Sequence, residues 1–417
     1  MEQQIFTETF DNGLTLVGER MPWLESIAFT ILVPAGCIWD PTDRFGLSSV
    51  ACEMVQRGAG ELTNRELVNR LDDLGVERGS GVSSYFSSFT AAFPREKFRP
   101  TLEVYADILR RPRLPEDEFD DAVRTCLQEI QATLDDPASL AIEELRRQVF
   151  ADPFGRPSHG TQEGVQAVTY DEVVRAIRNR YSPAPAIIGI AGNFDWKETV
   201  AEFRRLFDDW EPQDAPELVE VPPESTDKHL VHESQQTHLA VGFRAIPYAH
   251  EEYFSLRAAI GVLSDGMSSR LFQEVREKRG LCYSVFASVH SLRDRAVVMG
   301  YSGTTTERAQ ETLDVMLAEF RRLSDGIEQA ELDRLKTQLR STLIMQQESC
   351  RSRASNLAID WHHLARVRTL EELNGTIRGL SVDGILSTLQ RHPLTLLSTV
   401  SYGKEALNTS NGSTVPA

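Results

Sequence analysis

Hydrophobic and polar positions follow the same order twice along this chain, in two segments of about 200 residues each. Ser26–Val33 and Thr237–Phe243 are apolar runs of the length typical of buried strands. After a polar gap, each run is followed by apolar residues at helical spacing, over Phe45–Gln56 in the first segment and Phe254–Leu263 in the second. The pattern predicts two halves built on one plan.

The later elements of the two halves also correspond. Each half has a second helix that ends at a glycine, then alternating strands, long amphipathic helices and a late strand. The corresponding pairs are Asn64–Gly75 and Ser269–Gly280, Ser83–Phe93 and Tyr283–Val289, Pro115–Ile130 and Ile327–Arg340, and Ala186–Gly192 and Leu394–Val400. Because strands and helices do not alternate regularly, we predict an α+β fold in which each half is an antiparallel-dominated sheet with helices packed on one face.

A proline-rich, acidic segment separates the two halves. Glu211–Ser225 has neither helical nor strand periodicity, which is typical of an extended linker. We therefore predict a domain at 1–210, the linker at 211–227, a second domain at 228–406 and a disordered polar tail at 407–417.

Composition restricts the class of protein. The chain has 44 Lys and Arg against 62 Asp and Glu, a formal net charge of -18, which argues against nucleic acid and anionic membranes as partners. No apolar run is long enough for a membrane span, and the N-terminus lacks the basic residues of a targeting sequence. The five scattered cysteines, without CxxC spacing, suit a reducing compartment. These features predict a cytoplasmic protein.

Five segments carry a family resemblance. The longest is Ser268–Tyr283, and the shorter ones are Phe10–Leu16, Asp135–Pro137, Gly155–Pro157 and Gly160–Thr161. In these segments, and over nearly its whole length, the chain resembles the insulinase/pitrilysin family of inverted-motif zinc peptidases, in particular the mitochondrial-processing-peptidase-like bacterial branch. The resemblance implies a clam-shell of two homologous halves joined by the extended linker.

Active members of that family carry an H-x-x-E-H helix, whose histidines bind zinc and whose glutamate activates water, and a glutamate from a later helix is the third ligand. By this resemblance, the first histidine corresponds to Ser49, the glutamate base to Cys52, the second histidine to Glu53 and the third ligand to Glu129. Two carboxylates without an imidazole are unsuited to zinc. We predict a degenerate zinc motif that holds no metal, although residual metal binding at Glu53 and Glu129 stays open.

The other histidines that we considered do not replace the missing ligands. His229 and His232 lie three residues apart on a predicted strand, so their rings point to opposite faces, and His238 follows them. His362 and His363 are adjacent on a predicted helix, where neighbouring side chains diverge by about 100°. We predict a ligand role for none of the five.

By the same resemblance, Arg276 and Tyr283 correspond to the part of the active site that lies in the C-terminal half. Arg276 lies on a helix that ends at Gly280, and Tyr283 begins the next strand. In the family that the chain resembles, this pair reaches the zinc site from the C-terminal half and stabilises the substrate carbonyl oxygen as negative charge develops on it. The resemblance therefore implies a catalytic role in trans for both residues.

Together these features predict a non-catalytic subunit of a heterodimeric zinc metallopeptidase. The zinc is expected in a partner subunit of the same family, while this chain supplies Arg276, Tyr283 and an edge strand near Gly81–Phe86 to which an unfolded peptide adds. Two alternatives stay open: a structural or peptide-binding core-like protein with no role in hydrolysis, and an active metalloendopeptidase with a non-standard metal site.

Overall fold

The computed structural model describes residues 3–214, 217–223 and 226–409. In chain order, its strands are β1 (Gln4–Thr9), β2 (Thr15–Arg20), β3 (Ser26–Val33), β4 (Gly58–Ala59), β5 (Leu62–Thr63), β6 (Glu77–Val82), β7 (Ser87–Pro94), β8 (Ile187–Gly192), β9 (Lys228–Val231), β10 (Gln236–Ala245), β11 (Cys282–Ser291), β12 (Ala296–Thr305) and β13 (Leu396–Gly403).

The helices follow the order that the repeat predicts. They are α1 (Leu47–Met54), α2 (Asn64–Asp73), α3 (Phe98–Arg110), α4 (Phe119–Leu134), α5 (Pro137–Val149), α6 (Gln162–Ala167), α7 (Tyr170–Arg180), α8 (Trp196–Phe207), α9 (Tyr253–Ser264), α10 (Ala309–Asp325), α11 (Gln329–Gln346), α12 (Cys350–Leu364), α13 (Leu370–Gly379) and α14 (Val382–Arg391). A π-helical segment, Phe272–Glu277, lies between α9 and β11.

Two sheets share one strand order. The first has the order β1-β2-β8-β3-β7-β6, and only the β2–β8 pair is parallel. The second has the order β11-β12-β10-β13-β9, and only the β13–β9 pair is parallel. Taken from β6 and from β11, both sheets show three antiparallel pairings and then one parallel pairing. The predicted α+β fold with two homologous halves is confirmed.

The chain forms two compact units that exchange segments. The N-terminal unit consists of Met1–Ala132, Arg156–Glu220 and Ile344–Thr369. The C-terminal unit consists of Thr133–Gly155, Val221–Leu343 and Leu370–Ala417. The units therefore differ from the continuous segments 1–210 and 228–406 that the sequence suggested. The reason is that α5, from the first half of the chain, belongs to the C-terminal unit, and α12, from the second half, belongs to the N-terminal unit.

The exchanged helix α12 covers a second face of the first sheet. Side chains of β3 alternate, so that Phe29 and Ile31 join the main core while Ala28 packs with Ala354 and Leu357 of α12 on the other face. The approach is close, because a Cβ at Gly189 of β8 would lie 2.1 Å from the carbonyl oxygen of Ala354. The sheet therefore carries one helix on the face opposite to the predicted helical layer.

The second sheet is covered in the same way. Its main core includes Leu239 and Val241 of β10 and helices α9, α10 and α11. On the opposite face, the exchanged helix α5 brings Leu145 and Val149 against Gly242 of β10. Both units thus contain a sheet between two helical layers, one of which is a single exchanged helix.

Two predicted elements differ in detail from those observed. The strand expected over Ser83–Phe93 begins only at Ser87, because the Ser83 N–H donates to the Phe86 carbonyl (2.8 Å) and closes a turn. The edge strand is therefore β6, Glu77–Val82, rather than Gly81–Phe86. The helix expected over Ser269–Gly280 is largely π-helical, with Lys278 N–H bonded to the Gln273 carbonyl at 2.9 Å.

The linker and the tail are only partly described. Residues 211–214 and 217–220 form no helix or strand, and Val221 makes an isolated antiparallel bridge with Asp152. Of the tail predicted at 407–417, residues 410–417 lie outside the described part of the chain. None of the described helices combines the length and apolar character that a membrane-spanning segment needs.

Candidate functional site

Helix α1, which carries the zinc-motif positions, is fixed at its start by a buried carboxylate. Asp40 accepts hydrogen bonds from the N–H groups of Gly46 (2.8 Å) and Ser48 (2.9 Å) and from the Ser48 hydroxyl (2.5 Å). Gly46 has φ +108°, which favours glycine. Burial raises the pKa of Asp40 to about 6, against the opposing effect of these donors. The carboxylate thus satisfies the first N–H groups of α1.

Ser49 and Cys52 are buried and engaged within the protein. The Ser49 hydroxyl donates to the Ser158 carbonyl at 2.9 Å. Burial, with a smaller effect of the negative charges of Glu53 and Glu129, raises the pKa of the Cys52 thiol to about 12. Cys52 therefore remains a neutral thiol at neutral pH and can serve neither as a base nor as a thiolate ligand.

Glu53 is paired with an arginine one helical turn away. Its Oε1 lies 2.8 Å from Nη2 of Arg57, whose side chain is only 12% exposed. The same guanidinium contacts Glu118 Oε2 at 3.4 Å and Thr125 Oγ1 at 3.3 Å. The positive charge that balances Glu53 therefore comes from the chain itself.

Glu129, the position of the third ligand, lies on α4 beside a histidine that the sequence analysis did not consider. Its Oε2 is 3.7 Å from Nδ1 of His159, and both side chains are about half exposed. A signal for His159 was present in the sequence, since it lies between Gly155–Pro157 and Gly160–Thr161, two of the segments that carry the family resemblance.

The histidines considered in the sequence make packing and hydrogen-bond contacts. His229 Nδ1 lies 2.9 Å from the Ser401 hydroxyl, His232 stacks on Tyr402, and His238 Nδ1 lies 2.8 Å from the Tyr301 hydroxyl. His362 packs against Tyr85 and Phe86, and the His363 ring lies 4.8 Å from that of His362. None of the five belongs to a group of three close ligand atoms within the described residues.

Arg276 and Tyr283 contact each other directly in the C-terminal unit. The guanidinium carbon lies 4.9 Å from the Tyr283 ring centroid and 4.7 Å from that of Phe272, so cation–π contacts hold it. Tyr283 is 83% exposed, and among the described residues its hydroxyl has no hydrogen-bond partner. Nε of Arg276 lies 3.7 Å from Oε1 of Glu277, and the arginine side chain is 35% exposed. The remaining N–H groups of the guanidinium and the Tyr283 hydroxyl are two kinds of donor that an external acceptor could use.

The backbone around this pair is irregular. Arg276 belongs to the π-helical segment, which ends where Gly280 adopts φ +59°. The N–H of Leu281 then bonds to the carbonyl of Val275 at 2.9 Å, and β11 starts at Cys282. Single π-helical turns are frequent at functional sites, which is consistent with a functional role for Arg276.

Two α+β units with the same strand order, a helix with the zinc-motif positions and a contacting Arg–Tyr pair are the features expected of an insulinase-type, zinc-peptidase-like protein. Family comparison agrees: the model described as "Insulinase (Peptidase family M16)" matches residues 19–162. The model described as "Peptidase M16 inactive domain" matches residues 167–339. The chain belongs to the M16 insulinase family, as the resemblance predicted.

Known proteins resemble this chain over nearly its whole length. An "Uncharacterized zinc protease" of Rickettsia felis is 24% identical over 94% of this chain and 95% of its own length. The "Uncharacterized zinc protease YmxG" of Bacillus subtilis is 27% identical over 90% of this chain and 93% of its own. A peptidase M16 inactive domain from Pseudomonas fluorescens superposes with a TM-score of 0.89 at 20% identity, over 97% of this chain and 99% of that one. This structural likeness concerns the fold alone.

The family implies zinc at the motif helix, but the residues present here do not fit that ion. The Ser49 hydroxyl is bonded to a carbonyl, the Cys52 thiol is neutral and Glu53 is paired with Arg57. Moreover, these positions and Glu129 are not part of any described group of three ligand atoms within 4.8 Å of one another. A zinc site needs at least three such protein ligands. Helix α1 therefore does not provide the ligands that a catalytic zinc ion needs.

Proposed function

We propose that this chain is a non-catalytic subunit of an M16 zinc peptidase, which completes the active site of a zinc-bearing partner subunit. The observation that carries the proposal is the contrast in exposure between two sets of residues. Tyr283 is exposed and contacts the partly exposed Arg276, whereas Ser49 and Cys52 are buried and Glu53 is paired with Arg57.

The chemistry of the pair suits a developing oxyanion. When a nucleophile attacks a peptide carbonyl, negative charge forms on the carbonyl oxygen. A tyrosine hydroxyl and a guanidinium N–H can each donate a hydrogen bond to that oxygen, and the guanidinium adds a fixed positive charge. The contact between Arg276 and the Tyr283 ring positions both donors before the substrate arrives. This preorganisation lowers the cost of orienting them during the reaction.

A strand-addition site for the substrate is consistent with the same role. Within the described residues, β6 pairs only with β7, so one edge of the first sheet is unpaired. Residues Glu77–Ser80 of this strand are exposed. An extended peptide could therefore form main-chain hydrogen bonds with β6, which would make recognition largely independent of its sequence.

The comparisons supply two kinds of support. The relatives are named zinc proteases, which is consistent with hydrolysis of peptides as the activity to which this chain contributes. The model that matches residues 167–339, and so includes Arg276 and Tyr283, is described as an inactive domain. Both descriptions fit a subunit that contributes substrate binding and oxyanion stabilisation while its partner holds the zinc and the attacking water.

The test is a reconstitution of the pair. This chain would be mixed with a zinc-bearing M16 protein of the same organism that has an intact H-x-x-E-H helix, and cleavage of an unfolded, basic fluorogenic peptide would be followed. We expect activity from the mixture only. Arg276→Ala should lower kcat by about 100-fold, because one donor to the oxyanion is lost. Lys278→Ala is the matched control, since Lys278 is also exposed but pairs with Glu274.

Two outcomes would instead support the two alternatives, a protein with no role in hydrolysis and a peptidase that is active by itself. If Arg276→Ala and Tyr283→Phe together leave the activity of the mixture unchanged, the chain is a structural or peptide-binding protein with no role in hydrolysis. If this chain cleaves the peptide alone and a chelator abolishes that cleavage, it is an active peptidase with its own, non-standard metal site.

A further inference from the structure

Three potential metal ligands converge in the C-terminal unit, at residues that play no part in the proposed peptidase role. His250 lies in the turn before α9, Glu252 is the residue that precedes the first turn of α9, and His392 follows the last residue of α14. One ligand atom from each lies within 4.8 Å of the other two. In the part of the chain that the structure describes, no other group of three His, Cys, Asp or Glu side chains meets this condition.

The carboxylate of Glu252 is held by two residues of α14. The Thr388 hydroxyl donates to Oε1 at 3.1 Å, and Arg391 Nη2 contacts the same oxygen. Oε2 lies 2.9 Å from Nε2 of His392 and 3.3 Å from Nε of Arg391. These contacts orient the carboxylate as an outer shell of hydrogen bonds does in metal sites, and Oε2 is contacted by both the His392 imidazole and the Arg391 guanidinium.

The two imidazoles are also fixed in position. Their ring centroids lie 4.9 Å apart with the planes at 80°, so the rings meet edge to face. His250 Nδ1 accepts a hydrogen bond from the backbone N–H of Glu252 at 3.1 Å, and the backbone N–H of His250 donates to the Pro247 carbonyl at 2.9 Å. All three side chains are partly buried, so the cluster is ordered yet accessible to an ion from solvent.

We propose that His250, Glu252 and His392 form a binding site for a divalent transition-metal ion such as zinc or cobalt. Two imidazoles and one carboxylate suit these ions, and do not suit calcium or magnesium, which prefer oxygen ligands alone. The ion takes the place of the proton between His392 Nε2 and Glu252 Oε2, and that proton moves to His392 Nδ1 or is released to solvent. Binding also breaks the hydrogen bond that His250 Nδ1 accepts from the Glu252 N–H. If the ion binds Nδ1, it replaces that donor; if it binds Nε2, the ring proton moves to Nδ1, which can then no longer accept. With Arg391 close by, the affinity is modest compared with that of a four-ligand structural site.

The expected role of the ion is to join distant parts of the chain. Glu252 and His392 are 140 residues apart in sequence, and the site connects the start of α9 with the end of α14. An ion that binds the folded but not the unfolded chain stabilises the fold by an amount that rises with the logarithm of its concentration relative to its Kd. The site would therefore set the stability of the C-terminal unit without taking part in peptide hydrolysis.

The test is titration of the full-length, chelator-stripped chain with zinc, followed by calorimetry, and with cobalt, followed by its visible absorption. We expect one ion per chain and a thermal midpoint that rises with zinc concentration. His250→Ala and His392→Ala should each weaken binding at least tenfold. His229→Ala and His159→Ala are the controls, since the first removes a histidine of the same unit and the second removes the histidine beside Glu129.

Three results would overturn the proposal. The first is binding that persists unchanged in both His250→Ala and His392→Ala. The second is loss of binding in His159→Ala but not in His250→Ala, which would place the ion beside α1. The third is the absence of any bound ion in the wild-type chain. Should His392→Ala fail to fold, His250→Gln alters only a turn residue and keeps the comparison valid.

Discussion

The two halves of this protein share one strand order but carry their candidate site residues in different elements and at different exposure. In the N-terminal unit, the helix that follows the central strand carries Ser49, Cys52 and Glu53, and each is buried or bonded to a neighbour in the chain. In the C-terminal unit, the start of the edge strand carries Tyr283, which is exposed and stacked on Arg276. Polar groups that are satisfied internally stabilise the fold, whereas exposed and oriented donors remain available to a substrate.

Removing the hydroxyl of Tyr283 is the substitution with the largest expected effect. In the reconstituted pair, Tyr283→Phe should lower kcat by about 100-fold or more, because one oxyanion donor is lost while the aromatic contact with Arg276 remains. The thermal midpoint should not change, since the hydroxyl has no hydrogen-bond partner among the described residues. A matched Tyr402→Phe variant, on β13 of the same sheet, should keep full activity. Equal losses in the two variants would contradict a specific role for Tyr283.

The second prediction concerns the buried carboxylate that anchors α1. The pKa of Asp40 rises from 3.8 to about 6 on folding, mainly through burial. Between these values the folded chain keeps a proton that the unfolded chain releases, so the free energy of unfolding falls as pH rises from about 4 to 6. The shift of about two units corresponds to about 3 kcal/mol. Asp40→Asn should remove this component of the pH dependence.

The measurement is chemical denaturation of wild type and variant across pH 4 to 7. We expect the difference in unfolding free energy between them to change by about 3 kcal/mol over that range, in the direction of a relatively less stable wild type at pH 7. Asp43→Asn is the control, because Asp43 is 73% exposed. A constant difference for Asp40→Asn would mean that the carboxyl titrates in the folded chain as it does in the unfolded one.

The smallest predicted effect is at Glu53. Glu53→Gln should lower the free energy of unfolding by about 1 kcal/mol or less, because an ion pair with a mostly buried Arg57 becomes a neutral hydrogen bond. The activity of the reconstituted pair should be unaltered, since Glu53 is bonded internally. Denaturation and peptide-cleavage assays on the same preparation check both statements. A tenfold or greater loss of activity would give Glu53 a chemical role that its pairing with Arg57 does not suggest.

Much of the local structure could be predicted from periodicity alone. The strand over Ser26–Val33 is observed with the predicted bounds, and Gly280 ends the helical segment in a left-handed conformation. The turn at Ser83–Phe86 was missed because an alternating pattern does not reveal where a strand reverses. The π-helical form of Phe272–Glu277 was missed for a similar reason, since it depends on the hydrogen bonds that close around Gly280.

By itself, the sequence determined the two-fold repeat, the family, and the absence of imidazoles at Ser49 and Glu53, because periodicity and side-chain chemistry are local properties. Only the tertiary structure decided which distant residues meet. It showed that Arg57 neutralises Glu53, that His159 lies beside Glu129 and that α5 and α12 are exchanged between the units. It also brought His250 and Glu252 to His392. These contacts depend on how helices and sheets pack, and no spacing along the chain specifies that packing.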